Sequence, residues 1–263
     1  MIRMPHLFQM KQAGEKFCCL TVYEASYAHL LSSLGVEIIF VGDSLGMVVQ
    51  GHDTTVPVTV DDMVYHTQLV ARGNQGSLLM ADLPFMSYAT PEQSLTNAAR
   101  LMAAGAQVVK LEGGAWLAPT VRLLTERGIP VCGHLGLTPQ SVHLLGGYRV
   151  QGKTYDQAQQ LKQDALALEA AGAQLLVLEC IPSALAKEIT ESLSIPVIGI
   201  GAGRDVDAQV LVLHDLLGVT PGRQAKFCKN FLRGNPEGVA GAVKQFMHEV
   251  KTLAFPAEMH EYT

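Results

Sequence analysis

Four short segments of the chain end an apolar, strand-like run on an acid: Val41-Gly42-Asp43, Met80-Ala81-Asp82, Leu111-Glu112 and Leu178-Glu179. A carboxylate set directly after a buried strand is costly unless something there uses it. Gathered on one face, Asp43, Asp82, Glu112 and Glu179 would repel one another unless a cation sat among them or some stayed protonated. Oxygen-only ligands suit a hard ion, and a site that keeps open positions suits Mg²⁺ best. The plainer alternative is that each acid caps the next helix or meets a surface base. One acid alone would fit that reading; four in the same position favour a metal site.

Lys110 lies two residues before Glu112, so an extended strand points both side chains the same way. It would either neutralise the acids as a structural ion pair or hold an anionic substrate group beside the metal. Gly113 and Gly114 leave room after it, which favours the second role. His134, after Cys132-Gly133, is expected to face the same site as a hydrogen-bond donor. His52, His66, His143 and His214 show no zinc-ligand spacing. Gly199-Ile200-Gly201-Ala202-Gly203 lacks the GxGxxG spacing of a phosphate cradle and reads as a tight turn allowing close backbone approach. Walker, GxSxG and basic-aromatic patterns are not found.

Acids from distant parts of the chain meet only if the strands before them are parallel neighbours. Short β-rich runs alternate with helix-like segments, the pattern of a parallel sheet covered by helices. The expected strands are 18–23, 36–41, 78–81, 107–111, 130–133, 174–178, 196–200 and 210–213, the last of which also fits a helix. Eight such runs in 263 residues favour an α/β fold of the (β/α)8 TIM-barrel type, usually about 250 residues long, over an open doubly wound sheet. Thr90-Pro91-Glu92-Gln93 predicts a capping box opening a helix that stops at Gly105, and Gly35, Gly128 and Gly172 end three others. Two long connections, 44–58 and 135–154, follow strand C-termini, where barrel sites are built. No linker interrupts the pattern, so one barrel domain spans 1–263.

Hydrophobic residues make up 48% and charged residues 16%, which suits a large apolar core; the net charge of −5 offers no general attraction to nucleic acid or anionic membrane. Five cysteines without a CxxC pair read as buried, inert thiols in a reducing compartment. Residues 1–16 are mixed and polar, and no apolar run is long enough to cross a bilayer, so the expected location is cytoplasmic.

Taken in order, Val41-Gly42-Asp43-Ser44-Leu45-Gly46, Ala81-Asp82-Leu83-Pro84-Phe85, Val109-Lys110-Leu111-Glu112-Gly113-Gly114, Gly133-His134-Leu135-Gly136-Leu137-Thr138-Pro139-Gln140, Leu178-Glu179-Cys180 and the glycine-rich turn at 199–203 closely resemble the ketopantoate hydroxymethyltransferase family. The resemblance runs from about Thr21 to Asp215. It implies a Mg²⁺-dependent barrel of the phosphoenolpyruvate/pyruvate-utilising kind, assembled as a homo-oligomer, usually a decamer. It implies hydroxymethyl transfer from 5,10-methylenetetrahydrofolate to 3-methyl-2-oxobutanoate, giving 2-dehydropantoate. By position, Asp43 and Asp82 would ligate the metal, with Glu112 on it directly or through water. Ser44 and Lys110 would bind the oxo acid together with the two aspartates, and Glu179 would accept the proton.

The chain departs from that family's pattern at Glu24, where an Asp is usual, at Ala208, at Arg204 and across 219–227, where a proline before Lys226 is absent. Two rival readings differ in prediction. A phosphoenolpyruvate-mutase-like or isocitrate-lyase-like enzyme would deploy a catalytic cysteine loop, which is not found. A non-catalytic oxo-acid sensor would have lost a ligand or base, yet Asp43, Asp82, Lys110, Glu112 and Glu179 are all present.

Overall fold

In the computed structural model, which describes residues 1–222 and 224–263, the apolar runs form eight parallel strands that close into a barrel in sequence order. They are β1 (Phe17–Thr21), β2 (Ile38–Val41), β3 (Leu78–Asp82), β4 (Val108–Glu112), β5 (Val131–Gly136), β6 (Leu175–Glu179), β7 (Val197–Ile200) and β8 (Ala208–Leu211). β1 pairs with both β2 and β8, so no sheet edge is left open. The helices are α1 (Met4–Ala13), α2 (Ala25–Ser33), α3 (Leu45–Val48), α4 (Val60–Gly73), α5 (Pro91–Ala104), α6 (Ala118–Thr125), α7 (Val142–Leu145), α8 (Tyr155–Ala170), α9 (Ser183–Ser192), α10 (Leu213–Leu217) and α11 (Gly238–Lys251).

All eight expected strands form, with shifted ends that have physical reasons. Pro130 and Pro196 lack an N–H and stand just before β5 and β7, although their carbonyls still accept from Val109 and Leu176. β8 begins two residues earlier than expected, because Ala208 and Gln209 pair with Phe17 and Cys18; Leu213 already opens α10. β3, β4 and β6 extend to include Asp82, Glu112 and Glu179, and β5 runs on through His134. The parallel ladder continues to the acids themselves, with Asp82 opposite Lys110 and Glu112 opposite His134.

α5 starts and stops as predicted. Gln93 N–H donates to Thr90 Oγ1 at 3.2 Å, and Gly105 takes a φ of 116° at the C-terminus. Only half of the expected box closes, since the Gln93 side chain accepts from Ala89 rather than from Thr90. Residues 1–16, expected only as a polar stretch, contain α1. Its Leu7 is fully buried among Phe17, Ile38 and Leu78 at the lower end of the barrel, with Met4 and Met10 packed beside it. All five cysteines are free and buried, as expected.

Two apolar regions follow from strand parity. One parity, including Cys19, Ile38, Phe40, Met80, Val108, Cys132 and Val177, fills the barrel interior. The other, including Cys18, Ile39, Leu79, Val109, Leu111 and Leu176, packs outward under the helices.

Candidate active site

The inward parity changes character at the top of the barrel. Continuing each strand by two residues puts Asp82 above Met80, Lys110 and then Glu112 above Val108, His134 above Cys132, and Glu179 above Val177. Asp43 lies beyond the end of β2, and its backbone N–H donates to Asp82 Oδ2 at 2.9 Å, which sets it over the mouth. All six site residues expected from the sequence, Asp43, Ser44, Asp82, Lys110, Glu112 and Glu179, line one cavity of about 820 Å³, together with His134.

Lys110 is the central cation. Its Nζ lies 2.7 Å from Asp82 Oδ1, 3.4 Å from Glu112 Oε1 and 3.1 Å from His134 Nδ1. His134 bridges two acids, with Nδ1 3.2 Å from Glu112 Oε1 and Nε2 3.3 Å from Glu179 Oε2. A protonated ring donates to Glu112 from Nδ1, and a neutral ring can accept there from Lys110. Nε2 is buried and faces Glu179 at 3.3 Å without a hydrogen bond of good geometry.

Loop residues tie the acids together. Gln140 Nε2 donates to Asp43 Oδ2 at 2.8 Å and to the Leu83 carbonyl, while its backbone N–H donates to Glu112 Oε2 at 3.0 Å. Tyr88 O–H donates to Gln140 Oε1 and fixes the amide's orientation. The Tyr23 hydroxyl sits 2.9 Å from both Ser44 Oγ and Thr21 Oγ1. Gln140 carries no sequence signal beyond its matching stretch, and Tyr23 and Tyr88 carry none.

Burial and mutual repulsion set the charges. Desolvation, with Asp82 and Glu112 close by, pushes the Asp43 carboxyl well above the ordinary range. Desolvation also raises Asp82, against the pull of Lys110. Glu112 pays the same desolvation, yet Lys110 and His134 outweigh it and hold the acid at about 2. Burial and Lys110 both oppose charge on His134, but Glu112 and Glu179 bring the ring up to about 8. One lysine and one histidine thus fall short of neutralising the acids around them.

A small hard cation fits that deficit. Asp82 Oδ1 is buried with no hydrogen bond, and Lys110 Nζ lies 2.7 Å from it. Among the described residues no three His, Cys, Asp or Glu side chains form a ready-made cage. Mg²⁺ commonly takes only one or two carboxylates and completes its shell with water and substrate. Asp43 and Asp82 supply that number, whereas both Glu112 oxygens are already engaged, which suits contact through water.

Glu179 differs from the other acids. Its side chain keeps 14% of its exposure, against 2% for Asp82 and Glu112, so it is the most accessible of these three acids. Cys180, which follows it, also lines the cavity, but burial drives its thiol well above the ordinary range and keeps it protonated.

The family model described as ketopantoate hydroxymethyltransferase matches residues 1–258. The chain belongs to that family. A 3-methyl-2-oxobutanoate hydroxymethyltransferase of Erwinia tasmaniensis is 61% identical over 97% of both chains. One of Shewanella loihica is 60% identical over 98% of this chain and 97% of the relative. Among solved structures, a phosphonopyruvate hydrolase superposes with a TM-score of 0.63 at 13% identity, over 83% of this chain and 84% of the other. A 2,3-dimethylmalate lyase, described as a phosphoenolpyruvate mutase/isocitrate lyase superfamily member, gives 0.60 at 14% identity, over 83% of each. At that identity these two share the barrel and no more.

Against the ketopantoate hydroxymethyltransferase pattern, the chain's departures have structural places. Glu24 accepts from the N–H groups of Ser26 and Tyr27 and caps α2. Ala208 is a buried ladder residue opposite Phe17. Arg204 pairs with Glu261 at 3.0 Å, close to the C-terminus. At the glycine-rich turn, a Cβ on Gly201 would stand 2.9 Å from the Phe227 ring and 3.1 Å from that of Tyr262. The close approach expected there is made by the chain's own aromatic rings.

Proposed function

We propose that the chain transfers a hydroxymethyl group from 5,10-methylenetetrahydrofolate to 3-methyl-2-oxobutanoate, giving 2-dehydropantoate on the route to pantothenate and coenzyme A. The observation that carries this is Glu179, an acid facing the cavity, 3.3 Å from His134 Nε2 and separate from the Asp43–Asp82 pair. Family membership supplies the choice of oxo acid. Asp43 and Asp82 would hold a Mg²⁺ ion, with Glu112 nearby, and the ion would supply Lewis-acid polarisation of the oxo acid's oxygens.

The protein's own groups do the rest. Glu179 takes the C3 proton, with His134 Nε2 3.3 Å from its carboxylate. Lys110 and Ser44 bind the oxo acid, and the Lys110 ammonium puts positive charge where the enolate oxygen develops. C3 then bonds to the one-carbon unit. Both C–N bonds to that carbon are given up to the folate nitrogens, and water supplies the hydroxyl oxygen.

Buried free thiols fit a reducing, cytoplasmic setting. No helix among the described residues is long and apolar enough to cross a membrane. Assembly as a homo-oligomer, a decamer by the resemblance, completes this reading and is measurable by sedimentation.

The test is proton exchange at C3 in D₂O, followed by NMR, with Mg²⁺ and the folate donor each omitted in turn. Exchange should need Mg²⁺ but no folate, and 2-dehydropantoate should form only when the donor is added. Failure to form any methylenetetrahydrofolate-dependent product would sink the proposal.

A further inference from the structure

The last residues of the chain return to the mouth of the barrel and are tied down there. Ser183 donates to the Tyr262 carbonyl from its backbone N–H at 2.9 Å and from its hydroxyl at 3.1 Å. Arg204 Nε donates to Glu261 Oε1 at 3.0 Å, and Lys226 Nζ donates to the Glu261 carbonyl. Contacts from three separate segments, the start of α9 and the stretches at Arg204 and Lys226, hold two consecutive residues.

Their effect is to place one ring. The Tyr262 ring lies against Gly201 beside Phe227, where only a glycine leaves space, and Lys226 Nζ stands 5.3 Å from its centroid. Tyr262 is half-buried, lines the same cavity as the acids, and neighbours Cys180, the residue after Glu179. The cavity therefore has two chemical halves. Its floor carries Asp82, Lys110, Glu112 and His134, and its rim carries Phe227, Tyr148 and Tyr262. At 820 Å³ the space lies in the upper part of the roughly 300–1,000 Å³ range for drug-sized ligands. A five-carbon oxo acid on the floor leaves the rim unused.

We propose that Tyr262 is the wall on which the flat ring system of the one-carbon donor stacks, so that the C-terminal residues are part of the substrate site. The inference rests on the reaction proposed above and names the residue that receives its second substrate. The donor must bring its one-carbon unit to the carbon that Glu179 deprotonates, and Tyr262 stands beside the residue next to Glu179. Its ring borders the cavity, and Lys226, 5.3 Å from the ring centroid, adds a cation suited to the donor's carboxylate tail. Arg204 and Glu261 act through Tyr262 and are positioning residues.

The test uses the full-length protein with Mg²⁺ and two substitutions, Tyr262→Ala and Tyr262→Phe. Steady-state transfer is measured against methylenetetrahydrofolate, C3 exchange without folate, and tetrahydrofolate binding by calorimetry. Tyr262→Ala should raise the KM for the donor, and weaken tetrahydrofolate binding, about three- to tenfold, the range of an aromatic pair. Folate-free exchange and the KM for the oxo acid should stay near the parent's. Tyr262→Phe should restore donor binding, because the ring and not the hydroxyl makes the contact. An unchanged donor KM in Tyr262→Ala would overturn the inference while leaving the proposed reaction standing. Loss of C3 exchange along with transfer in either variant would also overturn it, since the ring would then act through Glu179 or the fold. Absence of donor-dependent product in the parent protein would instead remove the reaction itself, and this inference with it.

Discussion

The two ends of the barrel both bury acids, and they treat them in opposite ways. At the lower end each acid has its own cation and its own backbone donor. Asp207 meets Lys11 at 2.7 Å and the Val197 N–H at 2.8 Å; Glu37 meets Lys251 at 2.6 Å and the Cys18 N–H at 2.9 Å. At the upper end Asp43, Asp82, Glu112 and Glu179 share Lys110 and His134, and two of them are driven above the ordinary carboxylate range. Buried acids matched one to one hold a fold together. Buried acids in excess are an unmet demand for a ligand, and the barrel tolerates it only where something is to be bound.

The largest effect expected from breaking this contrast is chemical. Glu179→Gln should lower C3 exchange and transfer by about 10²- to 10⁴-fold while Mg²⁺ and oxo-acid binding persist. Exchange at the parent rate would show that Glu179 is not the base. Next comes stability. Asp207→Asn should cost about 3 kcal/mol, because it strands Lys11 in a largely buried setting, and should leave kcat unchanged. Asp43→Asn, assayed by thermal melting in EDTA, should cost nothing or stabilise, since it removes repulsion. If both variants lost equal stability, the distinction between the two ends would fail.

A slightly smaller effect concerns the metal. Mg²⁺ at about 100 times its Kd should stabilise the parent by about 2.7 kcal/mol, read as a rise in Tm. Asp82→Asn should abolish that rise; a full rise in the variant would place the ion elsewhere. The smallest effect belongs to the lower end. Lys251 is half-buried; desolvation works against its charge, but Glu37 raises its pKa above the ordinary 10.5. Because the folded value is the higher one, its contribution is fully present below about pH 10.5 and is lost as pH rises through the folded value. The Tm of the parent should therefore fall more steeply above that pH than the Tm of Lys251→Met.

The upper end was far more legible in the sequence than the lower. Asp43, Asp82, Glu112 and Glu179 announce themselves because each closes an apolar run, and Lys110 pairs with Glu112 by the period of a strand. Gln140 gives no such signal. Its partner Asp43 is 97 residues away, and an amide in a polar loop looks like any other. Lys11 and Asp207 are 196 residues apart and meet only once the barrel has closed. α1 escaped notice because Met4, Leu7 and Met10 make a thin apolar stripe in a polar stretch. Strand boundaries moved where pairing, rather than composition, sets the end, as at β8.

That same α1 gives the barrel a closed base, with Leu7 set beneath the interior side chains. The cavity lies at the opposite end of the barrel. On the proposed reaction, an oxo acid on its floor and a folate donor at its rim would load in order, acid first and donor second, and the product would leave only after the spent donor.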